Sequence, residues 1–297
     1  TAAVKAVSFS VSDNEITGLL GHNGAGKTTI MRMLAGYLEP SAGSIQINGT
    51  DLAKQPVAVQ QKLGYLPENL PVYPDMLVAD YLDYAATLKG IPKTERMPAI
   101  HHAVLATDLA DRALDPIKTL SRGLRQRVGV AQAVLGSPRV LILDEPTNGL
   151  DPEQTEHMRQ LIRGLARNAT VILSTHIMQE VDALCDRVLM LRAGQLVLDE
   201  KLEALHHSQS LHLRVGKPAA TLGRALEGLD GIESVSQRAR DDGCTGYDLQ
   251  LASDEDRETL AAEISRTVMD SGGQLLELTP HKKSLEHLFH EVNTGGQ

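Results

Sequence analysis

Residues 21–29, GHNGAGKTT, constrain this chain more than any other stretch, because they follow the apolar run Ile16-Thr17-Gly18-Leu19-Leu20 without a break. A run that short reads as a buried strand, and Ile30, Met31, Met33 and Leu34 beyond it read as the apolar positions of a helix opening. Strand, glycine loop and helix together fit the G-x-x-x-x-G-K-[ST] pattern. Glycines let successive backbone N–H groups turn inward with no Cβ in the way, and the helix start adds unpaired N–H groups and a positive dipole end. Gly21, His22, Asn23, Gly24, Ala25 and Gly26 are therefore expected to cradle phosphate. Lys27 reaches β and γ phosphates as a point charge, the Thr28 hydroxyl is a ligand for Mg²⁺, and Thr29 completes the motif.

A second constellation follows the run Val140-Leu141-Ile142-Leu143, which is unbroken in the way of central parallel strands buried on both faces. It ends in Asp144-Glu145, and open α/β sheets place their ligands at the carboxyl ends of such strands. Asp144 is placed to hold Mg²⁺, usually through water, and Glu145 to orient or deprotonate an attacking water. An apolar run with Asp-Glu says little alone; behind a phosphate loop it gains weight. A helix from Pro152 follows, with Met158, Leu161, Ile162 and Leu165 on one face, and then a strand at 171–173. Ser174-Thr175-His176 closes that strand, so His176 stands at one more strand end, in reach of the γ-phosphate.

The length of 297 residues suggests about two domains. No stretch of 18 or more uninterrupted apolar residues is present, so nothing here reads as a membrane span, and no basic and then apolar opening marks an export signal. The chain begins at Thr1 inside what reads as a strand at 7–11, and further residues are expected upstream. Cys185 and Cys244 have no ligand-like spacing, which suits a reducing cytosol; Cys185 shares an apolar helix face with Met178, Val181 and Leu184 and reads as a packed thiol. A net charge of -9 argues against nucleic acid as a partner.

Elsewhere, residues 44–49 alternate and end in Asn-Gly, a strand and turn, and 63–67 is a short strand stopped by proline. From about residue 71 to 138 the periodicity becomes helical (Leu77, Tyr81, Tyr84, Leu88), a helical insert between strands. Past Asp199 the order is strand 210–215, helix 221–226, strands 232–237 and 247–251, helix 255–269 and strand 274–278, the ferredoxin-like arrangement. A closing helix from Ser284 is expected to pack on that unit or to form a subunit contact.

With these motifs in this order, residues 1–205 resemble the ATP-binding-cassette family. GHNGAGKTT matches its first phosphate motif, VLILDEP its second, and Leu120-Ser121-Arg122-Gly123-Leu124 stands where its LSGGQ signature belongs. Asn148-Gly149-Leu150-Asp151 looks like its dimer-contact loop and His176 like its switch histidine. The resemblance implies an α/β fold, a P-loop NTPase of ABC type (1–205) with its helical subdomain, and the element order read above adds a small C-terminal α+β, ferredoxin-like domain (206–297). It implies ATP and Mg²⁺ as cofactors, and a head-to-tail dimer with a second copy, in which Ser121 and Gly123 serve the partner's nucleotide. It also implies an integral membrane permease subunit docked on the helical insert, near the apolar cluster Leu70, Val72, Tyr73, Met76 and Leu77, which reads equally well as that insert's own core. The protein would then lie peripherally on the cytoplasmic face of the cell membrane. Catalysis would fall to Glu145, His176 and Lys27. SLEHLFHEV resembles the tail of drug-export and gliding-type cassettes, and an export-type transporter is the expected machine; an ATP-driven mechanical device and a soluble non-transport ATPase are the rival readings.

The pattern departs from the family at three places. Arg122 and Leu124 replace the usual Gly and Gln, a variant similar to gliding-motility, copper-processing and drug-export cassettes. Glu68 stands where the family has Gln; a carboxylate still ligands Mg²⁺ but adds negative charge beside the γ-phosphate, which tunes coupling to the membrane partner. The adenine-stacking aromatic is expected upstream of Thr1.

Overall fold

The structure, a computed structural model, describes residues 2–206, 210–239, 244–252 and 257–280. It divides into two units, Thr1–Leu202 and Glu203–Gln297, each with its own sheet. In the first unit, chain order gives β1 (Ile16–Leu20), α1 (Lys27–Leu34), β2 (Gln46–Ile47), β3 (Thr50–Asp51), α2 (Pro56–Gln61) and β4 (Leu63–Leu66). The helical insert follows as α3 (Val78–Leu88), α4 (Lys93–Ala106) and α5 (Arg122–Val134). Then come β5 (Val140–Asp144), α6 (Pro152–Ala166), β6 (Thr170–Thr175), α7 (Met178–Leu184), β7 (Arg187–Arg192) and β8 (Gln195–Lys201).

The six-stranded sheet runs β4-β5-β6-β1-β7-β8, parallel except at β8. Every residue of β1 and of β6 is buried, which explains why apolar runs without alternation make these strands. Parallel pairing aligns the carboxyl ends of β5, β6 and β1, so Leu20, Asp144 and Thr175 finish at one edge: Leu20 registers with Thr175, and Asp144 with Ser174. The insert joins the sheet tightly at its edge, where a Cβ on Gly64 of β4 would meet the Ala133 carbonyl of α5 at 2.2 Å.

Residues 7–11 form no strand, contrary to the expectation. Val7, Phe9 and Val11 do turn inward onto the core while Ser8 and Ser10 face out, so the alternation sorts the side chains correctly. Alternation fixes faces, whereas a strand also needs a neighbour for its backbone groups, and β2 and β3 pair with each other. Their turn is Asn48-Gly49, both at positive φ (49° and 72°), the mirror-image hairpin turn this dipeptide favours. The expected strand at 44–49 shrinks to two residues on each side of it.

After α8 (Leu202–His206), the second unit continues with β9 (Ser210–Gly216), α9 (Leu222–Glu227), β10 (Ile232–Ala239), β11 (Cys244–Leu251), α10 (Arg257–Asp270) and β12 (Gln274–Pro280). Its sheet is antiparallel in the order β10-β11-β9-β12, the ferredoxin-like pattern. Leu211, Leu213, Val215, Leu249 and Leu251 meet Leu222, Leu226, Leu260 and Ile264 in the core. The closing helix expected from Ser284 lies outside the described residues.

Candidate functional site

The loop between β1 and α1 turns on Gly24 and Gly26, at φ 82° and 107°, values that strain any side chain with a Cβ. An added Cβ at Gly26 would also sit 2.8 Å from the Ala3 carbonyl, whereas Gly24 opens to free space. The loop closes on itself through the Ala25 N–H to the His22 carbonyl at 3.1 Å. Lys27, the first residue of α1, is buried, and its ammonium donates to the Gly21 carbonyl at 2.7 Å and reaches the His22 carbonyl at 3.4 Å. Thr28 and Thr29 are half-buried in the first turn, while His22 and Asn23 are exposed.

The ends of β5 and β6 bring the carboxylates to this ammonium. Glu145 Oε1 lies 3.5 Å from Lys27 Nζ, and Glu145 Oε2 lies 2.9 Å from His176 Nδ1. Lys27, Glu145 and His176 therefore form one chain of contacts. Glu145 holds φ 52°, a strained value for a residue with a side chain, and its N–H is pinned by the Ser174 carbonyl and hydroxyl at 3.2 and 3.0 Å. Asp144 is fully buried; its Oδ1 accepts from the Ser174 hydroxyl at 2.5 Å, and its Oδ2 has no hydrogen-bond partner. Burial pushes the Asp144 carboxyl above its usual range and the Glu68 charge adds to this, against the hydroxyls of Ser174 and Thr28 and the Lys27 charge.

A buried carboxylate oxygen without a donor, with the Thr28 hydroxyl nearby, fits a Mg²⁺ that takes few protein ligands and completes its shell from phosphates and water. No group of three or more His, Cys, Asp or Glu suited to a metal occurs among the described residues, so a closed all-protein metal cage is not what this site offers. Glu68 lies in the exposed turn after β4, close enough for its charge to act on Asp144.

Ser121 and Gly123 belong to a different neighbourhood. Ser121 caps α5 by accepting from the Leu124 N–H at 3.2 Å, and buried Gly123 rests on Gln154 of α6. Their contacts include none of Lys27, Asp144, Glu145 or His176.

Motif reading missed Glu180. This carboxylate of α7 is 4% exposed and accepts on one oxygen from the Thr147 hydroxyl at 2.5 Å and the Thr175 hydroxyl at 3.0 Å. It thereby clamps the loop after Glu145 to the strand end that carries His176. The available signal was spacing: Glu180 lies four residues before Leu184 and so shares a face with that buried side chain.

Residues 4–148 match the family described as ABC transporter. The uncharacterized ABC transporter ATP-binding protein YdbJ of Bacillus subtilis (strain 168) is 32% identical over 296 residues, 99% of this chain and 91% of that protein. The chain belongs to the ABC transporter family, among its ATP-binding proteins. It is also 36% identical over 232 residues to ATP-binding cassette sub-family A member 9 of Homo sapiens, covering 72% of this chain but only 14% of that protein. A solved ATP binding subunit of ABC transporter superposes with a TM-score of 0.61 at 30% identity, over 69% of this chain and 85% of that one. This cassette thus binds ATP and is an ATPase.

Proposed function

We propose that this ABC ATPase is the energy-supplying subunit of a bacterial export-type transporter whose membrane-spanning subunits are separate chains. It would work as a head-to-tail dimer, peripheral on the cytoplasmic face of the membrane. The observation that carries the reading is the division of the site: Lys27, Asp144, Glu145 and His176 converge on one another, whereas Ser121 and Gly123 of the same chain make none of those contacts. Such a division suits a reaction centre completed by a second copy. None of the helices among the described residues is long and apolar enough to cross a membrane, so the proposal takes the membrane-spanning part from elsewhere.

In this reading the loop residues 21–29 hold the ATP phosphates, with Lys27 drawn from the Gly21 carbonyl to the β and γ oxygens. Thr28 and Asp144, with Glu68 nearby, would hold Mg²⁺, which when bound neutralises charge on the phosphate oxygens. Glu145 takes the proton of a water that attacks the γ-phosphorus in line; the new O–P bond forms as the bond to the bridging β–γ oxygen breaks, releasing ADP and phosphate. His176 holds Glu145 at one oxygen, which fixes the direction from which that carboxylate accepts. The strained backbone at Glu145 keeps its side chain pointed at the site at a cost of about 1–3 kcal/mol.

Glu145→Gln tests this. The variant is expected to bind ATP, to accumulate as a dimer in size-exclusion chromatography with ATP, and to lose about 10²–10⁴-fold in turnover. Hydrolysis at the wild-type rate in the presence of the membrane partner overturns the assignment, and so does the failure of any membrane protein to co-purify from detergent extracts.

A further inference from the structure

Lys89 caps α3, and the turn after it fixes where the side chain starts. The Gly90 N–H returns to the Thr87 carbonyl at 3.1 Å and the Ile91 N–H to the Ala86 carbonyl at 3.0 Å, with Gly90 at φ 77°. From there the half-buried side chain crosses to the carboxyl end of α5. Its Nζ donates to the Leu135 carbonyl at 2.6 Å and reaches the Ala133 carbonyl at 3.4 Å. Two acceptors match the two hydrogens of a neutral amine, and the lone pair is then left over. The same side chain lines a cavity of about 610 Å³, whose walls include the apolar Ile91, Pro92, Pro98 and Ala99. Glu95 and His102 of α4 are the other titratable groups along it. Burial pulls the Lys89 ammonium down to about 8, so at neutral pH about a tenth of it is free amine, far more than in an ordinary lysine.

We propose that Lys89 is an acylation site, whose amine attacks the carbonyl carbon of a small activated acyl group, an acyl phosphate or an acyl thioester, held in the cavity. The C–N bond forms as the bond from that carbon to the phosphate oxygen or the thiol sulfur breaks. Phosphate or thiolate leaves, and one amine hydrogen goes to water as a proton. The amide so formed suits its surroundings: its nitrogen keeps one hydrogen for the nearer Leu135 carbonyl, and the short acyl chain lies against apolar walls. What is lost is the donor to Ala133 and the positive charge that complements the carbonyl end of α5. Acylation therefore weakens the hold of α3 on α5.

The test exposes the full chain to acetyl phosphate in one arm and to acetyl-coenzyme A in the other. Peptide mass spectrometry follows each lysine, with exposed Lys93 as the internal comparison. Lys89 is expected to gain acetyl about tenfold faster than Lys93 at neutral pH in at least one arm, which identifies the donor, and its rate should level off as pH passes about 8. Ala99→Leu, which fills the cavity from α4, should slow Lys89 several-fold and leave Lys93 as it was. Lys89→Gln, which puts an amide in place of the charge, should melt about 2–4 °C below the wild type. A Lys89 that reacts no faster than Lys93 with either donor overturns the proposal, as does an Ala99→Leu chain in which Lys89 reacts at the wild-type rate. A Lys89→Gln chain that melts with the wild type overturns the weakening of α3 on α5.

Discussion

The two sheets of this protein differ in where they deliver their polar groups. In the parallel sheet, β1, β5 and β6 all point the same way, so the loops after them open at one edge and Lys27, Asp144, Glu145 and His176 meet there. In the antiparallel sheet neighbouring strands end at opposite edges, and its polar groups are spread over a face: His212 lies 2.8 Å from Asp248, and Arg238 lies 2.7 Å from the same carboxylate. Those groups sit opposite the side on which Leu211, Leu213 and Leu249 pack, as strand alternation requires. The difference teaches that convergence of strand ends, and not the supply of charged residues, makes one sheet a reaction site.

Three experiments strain that comparison. Lys27→Met removes the cation at the convergent edge and should weaken ATP binding by about 10- to 100-fold, the worth of a charge-assisted hydrogen bond; unchanged affinity in a nucleotide titration would mean that the edge is not where ATP sits. Leu249→Ala empties a fully buried position of the second sheet and should cost that unit about 2–5 kcal/mol. Calorimetry should then show one transition shifted down while ATP binding by the first unit stays as it was, and a joint loss of both would refute the separation of roles. Glu180→Ala strips the shared acceptor from Thr147 and Thr175, at about 1–3 kcal/mol, and should slow turnover several-fold with little change in ATP affinity. Glu180→Gln, which keeps one acceptor oxygen, should recover most of that rate; equal defects in the two variants would leave Glu180 a packing residue only.

The convergent edge was legible because its parts are local in sequence: a glycine loop behind an apolar run, and two carboxylates behind another. The second unit was legible for a related reason, since period-two strands and a period-3.6 helix alternate there with clear turns. Residues 7–11 misled because side-chain alternation carries no information about a backbone partner. The β7–β8 hairpin escapes a periodicity reading, since Leu189-Met190-Leu191 is buried without alternation; its signal is the turn Ala193-Gly194, at φ 47° and 82°. The clamp of Glu180 and the reach of Lys89 depend on contacts across 33 and 46 positions of the chain, which spacing rules do not see.

Cys185 follows α7 and presses on the middle of β1, where a Cβ at Gly18 would meet its sulfur at 2.8 Å. Burial pushes its thiol above the ordinary range, with the nearby Asp186 charge adding to the effect, so as the protein stands the sulfur is neither nucleophilic nor reachable. The same atom lies on the strand that leads straight into the phosphate loop. It is therefore a built-in clock for that region: the rate at which a small alkylating reagent consumes Cys185 measures how often α7 lifts from β1, and any ATP-dependent slowing of that rate would time how nucleotide stiffens the floor beneath Lys27.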